Sequence, residues 1–361
     1  MPSLFERKPD GTGLVQRLRS ELGQSLQRRL NGIEYFGTPP PPVGASARTL
    51  LHRRGTLSLY HYQPTAREIY RVPLLFVMPV THNADIFDLT PGQSLFEFLL
   101  GRGYDVYVIN WNAPRASEST LKLEDYVLDF IPTCIERVQA DTGVQEVTLV
   151  GYCLGAVLAS LYTALHPKGP VKNLVCFTMP VDFSKMFFGP LLENTPLDIE
   201  TLVDGNGLLP GQVILRAIDL HRPASRVVSR LRLWDNMWNE RYVKAHRMMA
   251  RFDAETLPLP GAFSAQFLQE LVVKNSLLKG GLVIGGKAVN LEHIQASLLH
   301  VVAQFDSLVP PACAAPLVAK AASTDKEELV LPGGHVSLVA GPAASTRMWP
   351  RLDQWLAPRS V

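Results

Sequence analysis

Val147-Thr-Leu-Val-Gly-Tyr-Cys-Leu-Gly-Ala156 decides the fold. Its first four residues, Val147 to Val150, predict a buried strand, Gly151 to Gly155 predict a tight turn, and the small and aliphatic residues from Ala156 to Leu165 predict a helix packed back on that strand. Together they make a nucleophile elbow, whose glycines let the backbone turn sharply enough to lift the central side chain above the sheet. Elbows of the G-x-S-x-G form carry serine at that place, whereas this chain carries Cys153. A thiol activated by a neighbouring base is a strong nucleophile, so the residue predicts acyl transfer through sulfur. A free cysteine also packs as a small hydrophobe, and its partners must therefore decide its role.

Such a thiol needs a base to take its proton and an acid to orient that base. Downstream, Leu299-His-Val-Val-Ala-Gln-Phe-Asp306 reads as an apolar strand that ends on a carboxylate, and Glu328-Leu-Val-Leu-Pro-Gly-Gly-His335 as a strand followed by two glycines and a histidine. The chain order Cys153, Asp306, His335 matches the nucleophile, acid, base order of α/β-hydrolases, whose acid and base lie on loops at the carboxyl ends of late strands. Asp306 is equally placed to cap a helix starting near Pro310. His335 is the candidate base, because the two glycines before it let the backbone bring the ring inward. His300, inside a strand, reads as buried with its hydrogen bonds satisfied. Donors for a developing oxyanion are expected from the backbone N–H of Leu154, just after the nucleophile, and from that of Thr81 in the loop Pro79-Val-Thr-His-Asn83. His82 in that loop reads as a solvated side chain.

The remaining pattern extends this reading. Strands are predicted at Leu57 to Tyr62, Leu74 to Pro79, Val106 to Trp111, Leu174 to Met179, Leu299 to Phe305 and Glu328 to Leu331, with helices at Ser94 to Gly101, Leu123 to Thr142 and Ala156 to His166. Continuous apolar strands separated by helices predict an α/β chain with the α/β-hydrolase fold: a mostly parallel sheet, helices on both faces and an inserted helical cap. The alternation breaks between about Asp182 and Glu292, where Phe187-Phe188, Trp234, Trp238 and Met248-Met249 cluster. The expected division is an N-terminal amphipathic helix and Pro-rich linker over 1–45, a core of 46–181 and 292–361, and a cap for lid or dimer contacts over 182–291. Leu14, Leu18, Leu22, Leu26 and Leu30 recur at four-residue spacing among arginines, which predicts an amphipathic helix that packs on the main domain or docks a partner or lipid-like surface. Pro39 to Pro42 then form a stiff linker.

Composition narrows the function classes. The 361 residues are 47% hydrophobic and 19% charged, with a formal net charge of +2, which gives no sign of a nucleic-acid binder. The longest apolar runs are strand-sized, so no membrane span is expected. The start of the chain lacks the apolar core and cleavage site of a signal peptide, and a cytoplasmic location with reduced thiols is expected. Cys134, Cys153, Cys176 and Cys313 are widely spaced and form no C-x-x-C pair, so neither a metal site nor a cofactor is expected.

The ordered motifs bring a family into view. The chain resembles the polyhydroxyalkanoate synthases, and its length is similar to that of the catalytic subunit of the two-component class III and class IV enzymes. The resemblance covers most of residues 60 to 357. It rests on Gly151-Tyr-Cys-Leu-Gly155, Asp88-Leu-Thr-Pro91 with Ser94-Leu95, Asp105-Val-Tyr-Val-Ile-Asn-Trp111, Pro180-Val-Asp-Phe183, Lys274-Asn-Ser-Leu-Leu278, Ile284-Gly-Gly286, Asp306-Ser-Leu-Val-Pro-Pro311 and Pro332-Gly-Gly-His335. It implies an acyltransferase that polymerises 3-hydroxyacyl-CoA, of short chain such as 3-hydroxybutyryl-CoA, into polyester, with coenzyme A thioester as substrate. Cys153 would be the acylated nucleophile, His335 the base and Asp306 its support. A homodimer, a second non-catalytic subunit and a place at the polyester granule surface are further implications. Two positions depart from the family pattern: Ala156 stands where another glycine is usual, and Thr81-His-Asn-Ala-Asp85 replaces the usual early loop. A thioesterase or polyester hydrolase of the same fold, or a catalytically silent granule-associated homologue, are the rival readings.

Overall fold

Seven of the eight strands of the main sheet coincide with the apolar runs of the sequence. In chain order the helix α1 (Gly11–Gly37) is followed by β1 (Arg48–Arg54), β2 (Leu57–Tyr62), β3 (Leu74–Val77), α2 (Leu95–Gly101), β4 (Val106–Trp111), α3 (Ile131–Thr142) and β5 (Val147–Tyr152). Then come α4 (Leu154–Leu165), β6 (Val171–Phe177), α5 (Gly211–His221), α6 (Pro223–Asp235), α7 (Glu240–Ala254), β7 (Ser297–Ala303), β8 (Lys326–Leu331) and α8 (Pro342–Leu356). This computed structural model describes residues 11–39, 43–186, 198–221 and 223–361. The Phe187-Phe188 pair, most of the Pro39 to Pro42 run and the side chains of Leu14, Leu18 and Met249 lie outside the described residues.

The sheet order is β1-β2-β4-β3-β5-β6-β7-β8. β1, β2 and β4 pair antiparallel, and every pair from β4 onward is parallel. All residues of β3 and β5 are buried, which requires cover on both faces and explains their unbroken apolar sequences. The chain thus has the α/β-hydrolase fold expected of it. Pairing of Val77 with Gly151 and of Gly151 with Cys176 brings the carboxyl ends of β3, β5 and β6 level, next to the elbow.

Several local readings need correction. The tight turn assigned to Gly151 through Gly155 shrinks to one residue, because β5 runs to Tyr152 and α4 begins at Leu154. β6 ends at Phe177 and not at Met179; Thr178 follows at a φ of 47°, outside strand geometry. The helix read as continuous from Leu123 to Thr142 widens into a π segment over Tyr126–Phe130. Pro132 lacks the N–H that would bond back into the preceding turn, which accounts for the local irregularity. β1 and α8 have no counterpart among the elements that the sequence pattern predicts.

The chain separates into two compact units. One contains residues 42–221 and 255–361 and holds the whole sheet; the other contains 1–41 and 222–254, joining α1 to α6 and α7. In the sheet-bearing unit, two motifs act as clamps. Buried Asp88 accepts hydrogen bonds from the Ser46 N–H (3.0 Å), the Ser46 hydroxyl (2.8 Å) and the Ser94 hydroxyl (2.7 Å). Asn275 donates to Asp182 Oδ1 at 2.8 Å and accepts from the Phe183 N–H at 3.0 Å. Burial opposes the negative charge of Asp182, but hydrogen bonds from Ser184, Asn275 and Lys185 outweigh it and hold the pKa below the ordinary carboxylate value. Among the described residues, no helix is long and apolar enough to cross a membrane.

Candidate active site

Cys153 sits alone between strand and helix, with φ 50° and ψ −118°. A non-glycine residue in that region costs on the order of 1–3 kcal/mol and persists only where the surroundings hold it. They do so here through the Cys153 N–H, which donates to the Phe177 carbonyl at 2.9 Å, and through the Cys153 carbonyl, which accepts from Ala156 and Val157 at 3.0 and 3.2 Å. The elbow glycines serve a different purpose from the one read in the sequence. Neither Gly151 nor Gly155 takes a positive φ. A Cβ on Gly155 would run into the Val77 carbonyl oxygen and the Met78 backbone, and one on Gly151 would meet the Ala156 Cα. Their role is close approach of helix and strand, while the turning strain falls on Cys153 itself. Ala156 is fully buried at this contact, so its methyl fills space at the helix–strand seam.

His335 and Asp306 come to the same place from the ends of β8 and β7. The His335 Nδ1 and Asp306 Oδ2 lie 2.6 Å apart, and Cys153 is near enough for a negative charge on it to act on the imidazole. With Nδ1 engaged by the carboxylate, Nε2 is the ring atom left for the thiol. Asp306 does not cap the helix that starts at Pro311, whose N-cap is Pro310 with no side-chain hydrogen bond. Its second oxygen, Oδ1, accepts from the Leu308 and Val309 N–H groups at 2.8 and 2.9 Å, which fixes the carboxylate over the loop leading to Pro310. The two loops are tied by their backbones: Gly333, at φ 153°, places its carbonyl to accept from the Phe305 N–H at 2.9 Å. Tyr152, inside the elbow, donates from its hydroxyl to the His335 carbonyl at 3.3 Å and sets its ring 5.2 Å from the imidazole.

The electrostatics favour a charged imidazole. Burial works against the His335 cation, but the negative charge of Cys153 and the hydrogen bond to Asp306 overcome it, and the pKa is raised to about 10. A positive charge on His335 is thus favoured by negative charge on the side chains around it.

The loop after β3 is held from three sides. The Trp111 indole N–H donates to the Met78 carbonyl at 2.8 Å, and Asn110 Oδ1 accepts from the Ala84 N–H at 2.8 Å. The Leu257 N–H bonds the Thr81 carbonyl at 2.7 Å. Neither the Leu154 nor the Thr81 N–H donates a hydrogen bond among the described residues, and Leu154, as the first residue of α4, has no intrahelical acceptor.

His82 departs from its reading as a solvated side chain. One ring nitrogen pairs with the Thr81 hydroxyl at 2.9 Å and the other with the Thr256 hydroxyl at 3.0 Å. Burial, and next to it the positive charge of His335, push its pKa down to about 4. His82 thus stays neutral beside a charged neighbour. His300 is buried as expected but not satisfied: neither ring nitrogen finds a hydrogen-bond partner among the described residues, and the Glu328 carboxylate stands 3.6 Å from Nδ1. Among the described residues, no group of three or more His, Cys, Asp or Glu side chains is arranged to hold a metal ion.

Sequence reasoning missed the supporting shell. Tyr152, Asn110 and Trp111 stood inside quoted motifs, yet the partners that give them meaning lie 26 to 183 residues away. A polar or aromatic residue at the last position of a buried strand was the available signal.

Comparison with known proteins bears on the family and the fold. A family model for the alpha/beta hydrolase fold matches residues 83–342. The chain is 30% identical over 344 residues to the poly(3-hydroxyalkanoate) polymerase subunit PhaC of Allochromatium vinosum, covering 94% of each chain. It is 29% identical over 323 residues to the subunit of the same name from Haloferax mediterranei, covering 88% of this chain and 65% of that longer relative. Among solved structures, Est1E from Butyrivibrio proteoclasticus matches with a TM-score of 0.53 at 11% identity, over 87% of this chain and 99% of the other. At that identity the likeness is one of fold.

Proposed function

Because the chain belongs to the poly(3-hydroxyalkanoate) polymerase family of α/β-hydrolase-fold proteins, we propose that it is an acyltransferase which polymerises short-chain 3-hydroxyacyl-CoA through a thioester on Cys153. The observation that supports this reading most is the meeting of Cys153, His335 and Asp306 at the carboxyl ends of three strands, with His335 Nδ1 2.6 Å from Asp306 Oδ2.

In the first step the Cys153 sulfur attacks the thioester carbonyl of 3-hydroxyacyl-CoA. The new carbon–sulfur bond forms as the bond to coenzyme A breaks, and the departing thiolate takes the proton that His335 held. One thioester replaces another, so the exchange is nearly balanced in energy. In the second step the hydroxyl of another 3-hydroxyacyl group attacks the carbonyl on Cys153. His335 accepts its proton, an ester bond forms, and Cys153 leaves as the thiolate that the imidazolium stabilises. Asp306 keeps the ring oriented and favours its charged form throughout. The N–H groups of Leu154 and Thr81 are the donors for the oxyanion in both steps. Water competes with the hydroxyl at the second step, so exclusion of water separates a polymerase from a hydrolase. The relatives are named as subunits, which supports a second, non-catalytic chain in the working enzyme.

The test is incubation of the purified chain with 3-hydroxybutyryl-CoA, following coenzyme A release with a thiol reagent and recovering insoluble polyester. Release with polymer is the expected outcome. Release with free 3-hydroxybutyrate alone would assign a thioesterase instead.

A further inference from the structure

The helical unit formed by α1, α6 and α7 has a small buried core of Leu233, Met237 and Val243, against which Tyr35 packs. On α1, Gln27, Asn31, Glu34 and Tyr35 share one face, and that face makes polar contacts with α7 and with the turn between α6 and α7. Asn31 Nδ2 donates to the Met237 carbonyl at 2.7 Å, and the Tyr35 hydroxyl lies 3.0 Å from His246 Nδ1. Arg247, only 6% exposed, donates to Glu34 at 3.2 Å and to the Thr38 carbonyl at 2.7 Å. The opposite face carries Leu22, Leu26, Leu30, Ile33 and Phe36, between 53% and 80% exposed. A helix ordinarily buries its apolar stripe and exposes its polar one, so this outward stripe is a surface awaiting an occupant. The adjoining helix continues it. Leu231 is 60% exposed and Trp234 63%, and the Arg28 guanidinium of α1 stands 6.0 Å from the Trp234 ring centre.

Charge identifies the occupant. Residues 1–41 and 222–254 hold 14 Lys and Arg against 7 Asp and Glu, a formal +7, whereas the rest of the chain holds 21 against 26, a formal −5; the two sum to the chain's +2. Arg29 is exposed on the same side of α1 as the apolar stripe, and Arg230 and Arg232 are exposed on α6. Leucines and tryptophans flanked by arginines match the boundary between lipid headgroups and acyl chains, where apolar side chains insert and guanidinium groups meet phosphate. We propose that this unit docks on an anionic phospholipid surface through the outward faces of α1 and α6. The argument uses no residue of the acyl-transfer site and stands apart from it.

The experiment is flotation of the full chain with vesicles of phosphatidylcholine alone, or of phosphatidylcholine with one quarter phosphatidylglycerol. Association with the anionic vesicles that weakens as salt is raised is expected, at least tenfold stronger than with the neutral ones. Ile33→Asp and the double change R230E/R232E should each reduce it at least tenfold while coenzyme A release persists. Brominated lipid should quench the wild-type fluorescence of the exposed Trp234 and Trp238, and the Trp234→Phe protein should lose part of that quenching; this readout stands even where a charged variant fails to fold. Absence of binding to anionic vesicles, equal binding to neutral ones, or binding unchanged in folded variants would overturn the proposal. So would vesicle-indifferent self-association that Ile33→Asp dissociates, which would make the face an interface between copies of the chain.

Discussion

At the scale of the residue, the pair Cys153 and His335 is the electrostatic centre of the site, and its charges can be tested separately. The His335 pKa is raised to about 10 in large part by the negative charge on Cys153. Cys153→Ala removes that charge, so the imidazole, followed by NMR of histidine-labelled protein, should titrate well below the wild-type value; an unchanged titration would remove Cys153 from its surroundings. The sign for stability follows. A histidine pKa raised on folding contributes stability that is complete below about pH 6.5 and lost as pH rises through the folded value. Alkaline pH should thus destabilise the wild type more than Cys153→Ala. His82 behaves in the opposite sense. Its pKa is pushed down to about 4 by burial and by His335, so the stability tied to its neutral form is present above pH ~6.5 and lost as pH falls towards 4, by up to about 3 kcal/mol. His82→Gln, which keeps a polar group near Thr81 and Thr256, should flatten the acid limb of a melting-temperature profile; an acid limb identical to wild type would contradict the assignment.

At the scale of elements, the loop after β3 depends on β4 beneath it. Trp111→Phe keeps the ring but leaves the Met78 carbonyl without its donor, at a cost of about 1–3 kcal/mol. Because the same loop carries the Thr81 N–H, the substitution should also lower kcat about tenfold with little change in KM. Loss of stability with full kcat would make the contact structural only. Gly155→Ala, which drives a methyl into the Val77 and Met78 backbone, should cost at least about 3 kcal/mol by thermal or urea unfolding. The elements that were legible in the sequence share a cause: β3, β5 and β7 are buried almost throughout and so carry unbroken apolar runs. β1 was not legible, because it is an edge strand whose arginines face solvent, and a basic edge reads as a loop. The helix over Pro342–Leu356 was likewise hidden by a proline at its start and another at Pro350. Cys153, Asp306 and His335 were readable because each ends or follows an apolar strand. His82 was not, since its burial is decided by Thr256, on a segment 174 residues away.

At the scale of the whole molecule, a fold shared with Est1E at 11% identity carries a chain of the poly(3-hydroxyalkanoate) polymerase family. Fold alone does not set the reaction; in the proposed mechanism the cysteine at the elbow does, by holding the acyl group as a thioester that a hydroxyl can take. In the proposed mechanism the strain at Cys153, the charge favoured at His335 and the N–H groups of Leu154 and Thr81 would serve one acylated state. Its direct test is intact-protein mass spectrometry of the full chain quenched in acid after mixing with 3-hydroxybutyryl-CoA, followed by peptide mapping. An adduct of one or more 3-hydroxybutyryl groups on the Cys153 peptide, absent from the Cys153→Ala protein, is the expected result. An adduct on another residue, or one that persists in Cys153→Ala, would contradict the account.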